Sequence, residues 1–90
     1  MPAPNFYTLA TPNYAEQAVP EKLKALYGLD RIPAVTDKLS ELGLDSLDIV
    51  ELTIEMEDQF CITISDTQVE MISTVGDLIH AVKTAKSQEQ

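Results

Sequence analysis

The chain of 90 residues is poor in several residue types, and each shortage excludes a class of site. It has a single cysteine, Cys61, so it cannot form an intramolecular disulfide. It has a single histidine, His80, so a metal site built from several histidines is excluded, and we predict no metal site. A catalytic pair of His80 with Cys61 or Ser46 would need a cleft and an orienting group, which the sequence does not indicate.

Basic residues are also scarce. The chain has 6 Lys and Arg against 15 Asp and Glu, which gives a formal net charge of -9. Nucleic acids and anionic membranes would repel such a chain, whereas basic protein surfaces complement it. No segment approaches the roughly 20 apolar residues of a membrane span, and the first residues fit neither a secretory signal nor a transit peptide. We therefore expect a cytoplasmic monomer that binds proteins.

The spacing of apolar residues predicts an all-α fold, a small four-helix bundle with three longer helices, one short helix and a long loop before the second helix. The first firm helix should cover Pro20–Tyr27, with a looser turn or kink ahead, because proline is best tolerated in a first turn. The second helix should run from Ser46 to about Gln59. A short helix should begin at an Asp66 cap, and the last helix should follow a cap at Ser73 or Thr74.

Two connections between these helices also carry predictions. The segment Asp30–Gly43 mixes turn-forming and apolar residues, which is typical of an ordered loop fixed to a core. The segment Cys61–Ile64 alternates like a strand but is short and has no evident partner, so we expect a buried connection with Cys61 as a small buried residue. His80 should lie near solvent.

The main helix has two apolar stripes when its residues are plotted at about 100° each. The core stripe contains Ile49, Leu52, Met56 and Phe60, and the second stripe contains Leu47, Val50 and Ile54. Glu51, Glu57 and Asp58 flank the second stripe. Either both stripes are buried between neighbouring helices, or the second stripe is a docking face that uses its acids to steer a basic partner.

The run from Gly43 to Asp48 lies at the start of this helix, within a stretch from Leu39 to Val82 that has no Lys or Arg. Asp45 and Asp48 alone are explained as an N-cap and an acid in the first turn. Ser46 has a further use, because a helix N-terminus is where a phosphate ester is best accommodated.

The residues from Glu41 to Ile49, followed by Val50-Glu51-Leu52, closely resemble the attachment site of acyl carrier proteins. The resemblance extends over about Val35 to Val82. It implies that Ser46 carries 4'-phosphopantetheine as a covalent cofactor and that the protein is a carrier of acyl thioesters, not an enzyme. The implied pathway is fatty acid biosynthesis or specialised lipid or polyketide biosynthesis.

The prolines at positions 2, 4 and 12 predict a flexible N-terminal tail (1–12), and the last residues predict a polar C-terminal tail (87–90). The acyl carrier domain would cover residues 13–86 between them. The resemblance also implies partners for this domain. The partners would be a phosphopantetheinyl transferase and acyl-loading and acyl-processing enzymes with basic docking patches. The implied docking residues are Asp45, Leu47, Asp48, Val50, Glu51, Ile54, Glu57, Asp58, Asp66 and Glu70. The implied acyl pocket or core residues are Leu52, Met56, Phe60, Ile64 and Ile72.

Two other interpretations stay open at this point. An aminoacyl or peptidyl carrier would differ from an acyl carrier only in its cargo. An unmodified acidic helical adaptor would use the same face to bind a basic protein and would carry no cofactor.

Overall fold

The computed structural model describes residues 12–87, and within them it confirms the predicted all-α class. Three longer helices and one short helix pack together, and a long loop precedes the second helix. The helices are α1 (Pro12–Tyr27), α2 (Ser46–Phe60), α3 (Asp66–Glu70) and α4 (Val75–Thr84), with a 3-10 turn at Ser40–Leu42 and two-residue strands β1 (Ile62–Thr63) and β2 (Lys86–Ser87). The predicted tails at 1–12 and 87–90 lie outside the described residues, apart from Pro12 and Ser87.

The helices bury one common core. α1 packs mainly against α4, and α2 packs against α3 and α4. The largest side chains that are fully enclosed are Val19, Leu23, Leu39, Leu52, Met56, Val75 and Leu78. Within the described part of the chain, no helix has the length and apolar character needed to cross a membrane.

The first helix is longer than predicted, since α1 runs continuously through Pro20. A proline inside a helix removes one backbone hydrogen bond and normally costs about 3 kcal/mol. Here Val19 and Leu23 on either side of it are fully buried in the core, and Pro20 is itself buried. Burial of both halves of the helix against its neighbours offsets that cost, so the predicted break is wrong. Gly28, with φ of +62°, follows the last helical residue.

The loop between α1 and α2 is ordered and contributes to the core, as predicted, and its backbone is also fixed to the start of α4. The backbone N–H of Leu39 donates to the carbonyl of Ser73 at 2.9 Å, and that of Gly76 donates to the carbonyl of Val35 at 2.9 Å. A Cβ atom on Gly76 would lie 3.1 Å from the same carbonyl oxygen, so glycine permits this approach. Leu39 and Leu44 are buried. The loop therefore delivers the chain to α2 from a defined position.

The connection after α2 differs from its prediction. Ile62 pairs with Ser87 and Thr63 with Lys86 in an antiparallel ladder. The partner lies at the far end of the chain in a polar segment without strand alternation, so no local pattern indicates the pairing. Cys61 is exposed, with φ of +56°, at the residue that ends α2. The prediction of a buried cysteine is therefore wrong.

The predicted short helix is present as α3, but its cap is Ser65 and not Asp66, which is its first helical residue. The Ser65 hydroxyl accepts from the Gln68 N–H at 3.1 Å, and the Gln68 side chain accepts from the Ser65 N–H at 3.1 Å. This reciprocal pair satisfies two backbone donors at once. Asp66 instead occupies the first turn, where its charge favours the helix dipole.

The last helix is capped by Thr74, one of the two predicted residues. Its hydroxyl accepts from the Asp77 N–H at 3.1 Å, and the Asp77 carboxylate accepts from the N–H groups of Thr74 and Ser73 at 3.0 Å each. These backbone hydrogen bonds hold the pKa of Asp77 below its usual value, and the bond from the Thr74 N–H has the largest effect. The same cap holds the point where the long loop joins α4.

The lowered pKa of Asp77 makes a testable prediction about acid stability. The folded state releases this proton more readily than the unfolded chain, so the stabilisation is complete above the unfolded pKa and is lost as pH falls through the folded pKa. Urea unfolding should show the wild type to be more stable than Asp77→Asn at about pH 6, with a smaller difference below about pH 4. The comparison should be made in about 0.5 M NaCl, which screens general charge repulsion. A difference that does not change with pH would contradict this role.

Candidate functional site

Two aspartates lock the start of α2 around Ser46. Asp45 is the N-cap, and its Oδ1 accepts from the Asp48 N–H at 2.9 Å. In return the Asp48 Oδ2 accepts from the Asp45 N–H at 3.0 Å. This capping box fixes the first turn of the helix, so the position of Ser46 is set by its two neighbours.

Ser46 is the first residue of α2, and it is exposed. Its hydroxyl has no hydrogen-bond partner among residues 12–87, and the same holds for the backbone N–H groups of Ser46 and Leu47. Unpaired N–H groups and the positive end of a helix dipole suit a negatively charged oxygen. The residues present therefore fit a phosphate ester on the Ser46 hydroxyl.

The two apolar stripes of α2 have opposite environments. Leu52 and Met56 of the core stripe are fully buried. Leu47, Val50 and Ile54 are 65%, 44% and 52% exposed. Within residues 12–87 neighbouring helices do not enclose the second stripe, so the alternative in which both stripes are buried is wrong.

The acids beside the second stripe are not equivalent. Glu51 and Asp58 are exposed and form no ion pair within residues 12–87. Glu57 is half-buried, and its Oε2 accepts from the Ile64 N–H at 2.8 Å. Glu57 therefore ties α2 to the connection before α3, a structural role that the helical pattern did not reveal.

On α3, Asp66 and Glu70 are exposed, so both predicted secondary contacts are accessible. Met71, directly after this helix, is 73% exposed. The sequence did not single out Met71, and its only signal is an apolar residue outside the helical spacing of the core.

The Tyr27 side chain lies close to the acidic residues at the start of α2. Its hydroxyl donates to the backbone carbonyl of Asp48 at 3.4 Å. Burial raises the pKa of Tyr27, and the negative charges of Asp48, Glu51, Glu55 and Asp45 raise it further. The phenol therefore lies in a negative electrostatic potential, as expected if this face attracts basic proteins.

The five predicted pocket or core residues are brought together. Leu52, Met56, Ile64 and Ile72 belong to one buried cluster, and Phe60 packs against it from a half-buried position. They come from α2, from the connection after it and from the residue after Met71. All five side chains therefore lie in or against the core.

The other chemical candidates do not converge. Cys61 and His80 are both exposed, His80 as predicted. Over residues 12–87 no group of three or more His, Cys, Asp or Glu side chains has an arrangement that could hold a metal ion.

Comparisons with known proteins address the same segment. A family model described as "phosphopantetheine attachment site" matches residues 17–82. The acyl carrier protein of Exiguobacterium sibiricum is 39% identical over 71 residues, which cover 77% of this chain and 85% of that protein. The acyl carrier protein of another Exiguobacterium strain is 38% identical over 69 residues, with the same coverage. The crystal structure of an acyl carrier protein from Thermotoga maritima superimposes with a TM-score of 0.67 at 29% identity, covering 79% of this chain and 85% of that one.

The contrast between the stripes of α2 can be tested with a matched pair of variants. Leu52→Ala should lower the free energy of unfolding by about 2–5 kcal/mol, because it leaves a cavity in the core. Leu47→Ala, the same truncation on the exposed stripe, should change it by less than about 0.5 kcal/mol. Urea unfolding followed by circular dichroism measures both. Similar losses in the two variants would contradict the assignment of the stripes.

Proposed function

This chain belongs to the acyl carrier protein family, and we propose that it carries acyl groups on 4'-phosphopantetheine attached to the Oγ atom of Ser46. The prosthetic group of the family is 4'-phosphopantetheine, and its attachment-site model covers the region of Ser46. The observation that supports the position is the exposed Ser46 hydroxyl, free of partners within residues 12–87, at the first residue of α2. The role of the chain is carriage for other enzymes, not catalysis.

The residues around Ser46 leave its hydroxyl accessible for attachment of the group, but they do not provide a base that would activate it. Asp45 and Asp48 direct their carboxylates at backbone N–H groups, so neither is positioned as a base for the hydroxyl. A phosphopantetheinyl transferase must therefore supply the base. Ser46 Oγ then bonds to phosphorus as the pyrophosphate bond of coenzyme A breaks, and the nucleotide part leaves.

After attachment, the helix start would hold the charged linkage away from the core. The N–H groups of Ser46 and Leu47, which have no partner within residues 12–87, and the dipole of α2 would stabilise the phosphodiester oxygens. The bound group supplies a terminal thiol that holds the cargo as a thioester.

Recognition of partner enzymes is assigned to the exposed face of α2 and to α3. The apolar stripe would supply contact area, while the surrounding carboxylates would steer basic patches toward Ser46. The proposed docking residues are Asp45, Leu47, Asp48, Val50, Glu51, Ile54, Glu57, Asp58, Asp66 and Glu70. Of the three acids beside the apolar stripe of α2, Glu51 and Asp58 are the most available, since Glu57 already bonds to the Ile64 N–H.

The buried cluster around Leu52 is proposed to line the space for the acyl chain. The residues concerned are Leu52, Met56, Phe60, Ile64 and Ile72, which are apolar and adjacent in the core. Core packing and cargo contact are compatible roles for them. We propose that the acyl cargo belongs to fatty acid biosynthesis or to specialised lipid or polyketide biosynthesis. We also predict that the protein is a monomer in the cytoplasm.

Attachment to Ser46 is tested by intact mass. Incubation with coenzyme A, Mg²⁺ and a broad-specificity phosphopantetheinyl transferase should add one phosphopantetheine to the wild type. Ser46→Ala should gain nothing. Ser40→Ala, which removes another exposed hydroxyl from the preceding loop, should be modified normally.

A known carrier protein in the same tube shows that the transferase is active. If that carrier is modified while this chain is not, the proposed function fails and the acidic adaptor takes its place. Modification of Ser46→Ala would show that the attachment residue is wrong.

The role of the acids is tested by charge reversal. Glu51→Lys and Asp58→Lys should each reduce kcat/KM for modification by the transferase, by about an order of magnitude at low salt. The deficit should shrink in about 0.5 M NaCl, because salt screens the attraction. Glu21→Lys makes the same change of charge at an exposed position of α1, and it should have little effect on kcat/KM. If all three variants were modified with the kcat/KM of the wild type, Glu51 and Asp58 would have no role in docking.

A further inference from the structure

Two open depressions of similar size lie on different sides of the bundle, each of about 420 Å³. The first, the α1–α2 groove, lies between the end of α1 and the middle of α2. Its lining residues are Leu26, Tyr27, Glu51, Ile54 and Glu55. The second, the α1–α4 groove, also includes the long loop. Its lining residues are Glu16, Val35, Gly76, Ile79, His80 and Lys83.

Charge distinguishes the two grooves. In the α1–α4 groove, the Lys83 ammonium lies 2.8 Å from the Glu16 carboxylate, so the two charges balance. In the α1–α2 groove, Glu51 has no ion pair within residues 12–87, and Glu55 lies 3.7 Å from Lys22. The α1–α2 groove thus has an uncompensated acidic edge.

The α1–α2 groove also has apolar walls that the core does not use. Leu26 is 42% exposed and Ile54 is 52% exposed, and the two face the same depression from different helices. An apolar wall beside an unpaired carboxylate complements an apolar side chain with a cation next to it. Ile54 belongs to the exposed stripe of α2 as well, so the groove continues the proposed docking face.

The groove is also close to the modification site. The Tyr27 hydroxyl donates to the carbonyl of Asp48, two residues after Ser46. Glu51 is five residues after Ser46, roughly 7.5 Å along the helix axis at 1.5 Å per residue. An enzyme bound over the Ser46 hydroxyl is therefore within reach of this groove.

We infer that the α1–α2 groove seats an apolar side chain of the phosphopantetheinyl transferase that modifies Ser46, with a Lys or Arg of the transferase beside Glu51. This inference rests on the proposed function. The transferase is the occupant because it acts on the hydroxyl itself. Enzymes that act on a thioester at the end of an arm are free to dock farther away.

The test compares two apolar truncations of similar exposure. Leu26→Ala removes the α1 wall of the α1–α2 groove, and Val35→Ala, at 55% exposed, removes a wall of the α1–α4 groove. With coenzyme A and the transferase, Leu26→Ala should raise KM for the carrier by about three- to tenfold, with kcat changed less than about twofold. Val35→Ala should leave both constants at the wild-type values.

Salt and a second variant identify the kind of contact. Leu26→Gln keeps the length of the side chain but not its apolar surface, so it should raise KM like Leu26→Ala. The increase should persist in about 0.5 M NaCl, since an apolar contact is not screened. Equal unfolding free energies of the variants and wild type would exclude a folding defect.

The outcomes separate this inference from the proposed function. If the wild type is never modified, the proposed function itself fails. If the wild type is modified and both Leu26 variants keep the wild-type KM, the inference is overturned while the function stands. An equal rise in KM for Val35→Ala would also overturn it, because the effect would not be specific to the α1–α2 groove.

Discussion

The reciprocal hydrogen bonds between Asp45 and Asp48 are the interaction on which the site depends. Each carboxylate accepts from the other residue's backbone N–H, so the first turn of α2 is closed by the same two acids that flank Ser46. This arrangement leaves the Ser46 hydroxyl exposed beside N–H groups that have no partner in the described part of the chain, and it turns both carboxylates away from service as a base. A hydroxyl that is accessible but not activated suits modification by a separate enzyme, because the carrier then has no reactivity of its own toward cargo or water.

The fold determines which carboxylates are paired and which are available to a partner. The stretch from Leu39 to Val82 has no basic residue, so α2 and α3 contain no cation that neutralises their carboxylates within one helix. The ion pairs that do form involve basic residues of α1, the long loop and α4. The acids nevertheless divide into two kinds. Glu57 and Asp77 accept backbone hydrogen bonds and stabilise connections, whereas Glu51 and Asp58 are available to a partner. Substitution of an acid therefore tests docking only where the carboxylate has no structural role.

Burial of one stripe of α2 determines the exposure of the other. Leu52 and Met56 enter the core beside Leu39, whose loop is held to α4 by backbone hydrogen bonds. With that face occupied, Leu47, Val50 and Ile54 lie on the solvent side, where an apolar surface is costly unless it serves binding. The long loop contributes Leu39 and Leu44 to the same core, so it also fixes the position from which the chain enters α2.

The sequence by itself determined the elements that depend on local interactions. Helical spacing and the aspartates at its start placed α2 from Ser46, and the stripe from Val75 to Val82 placed α4, because these signals act between residues three or four apart. Only the tertiary structure decided what depends on distant partners. α1 continues through Pro20 because both of its halves are buried. Ile62 pairs with Ser87, and Cys61 is exposed. The tertiary structure also exposed the second stripe of α2 and joined Leu26 to Ile54 in one groove. Residues brought together from separate helices have no common period in the sequence, so their contact is fixed by packing alone.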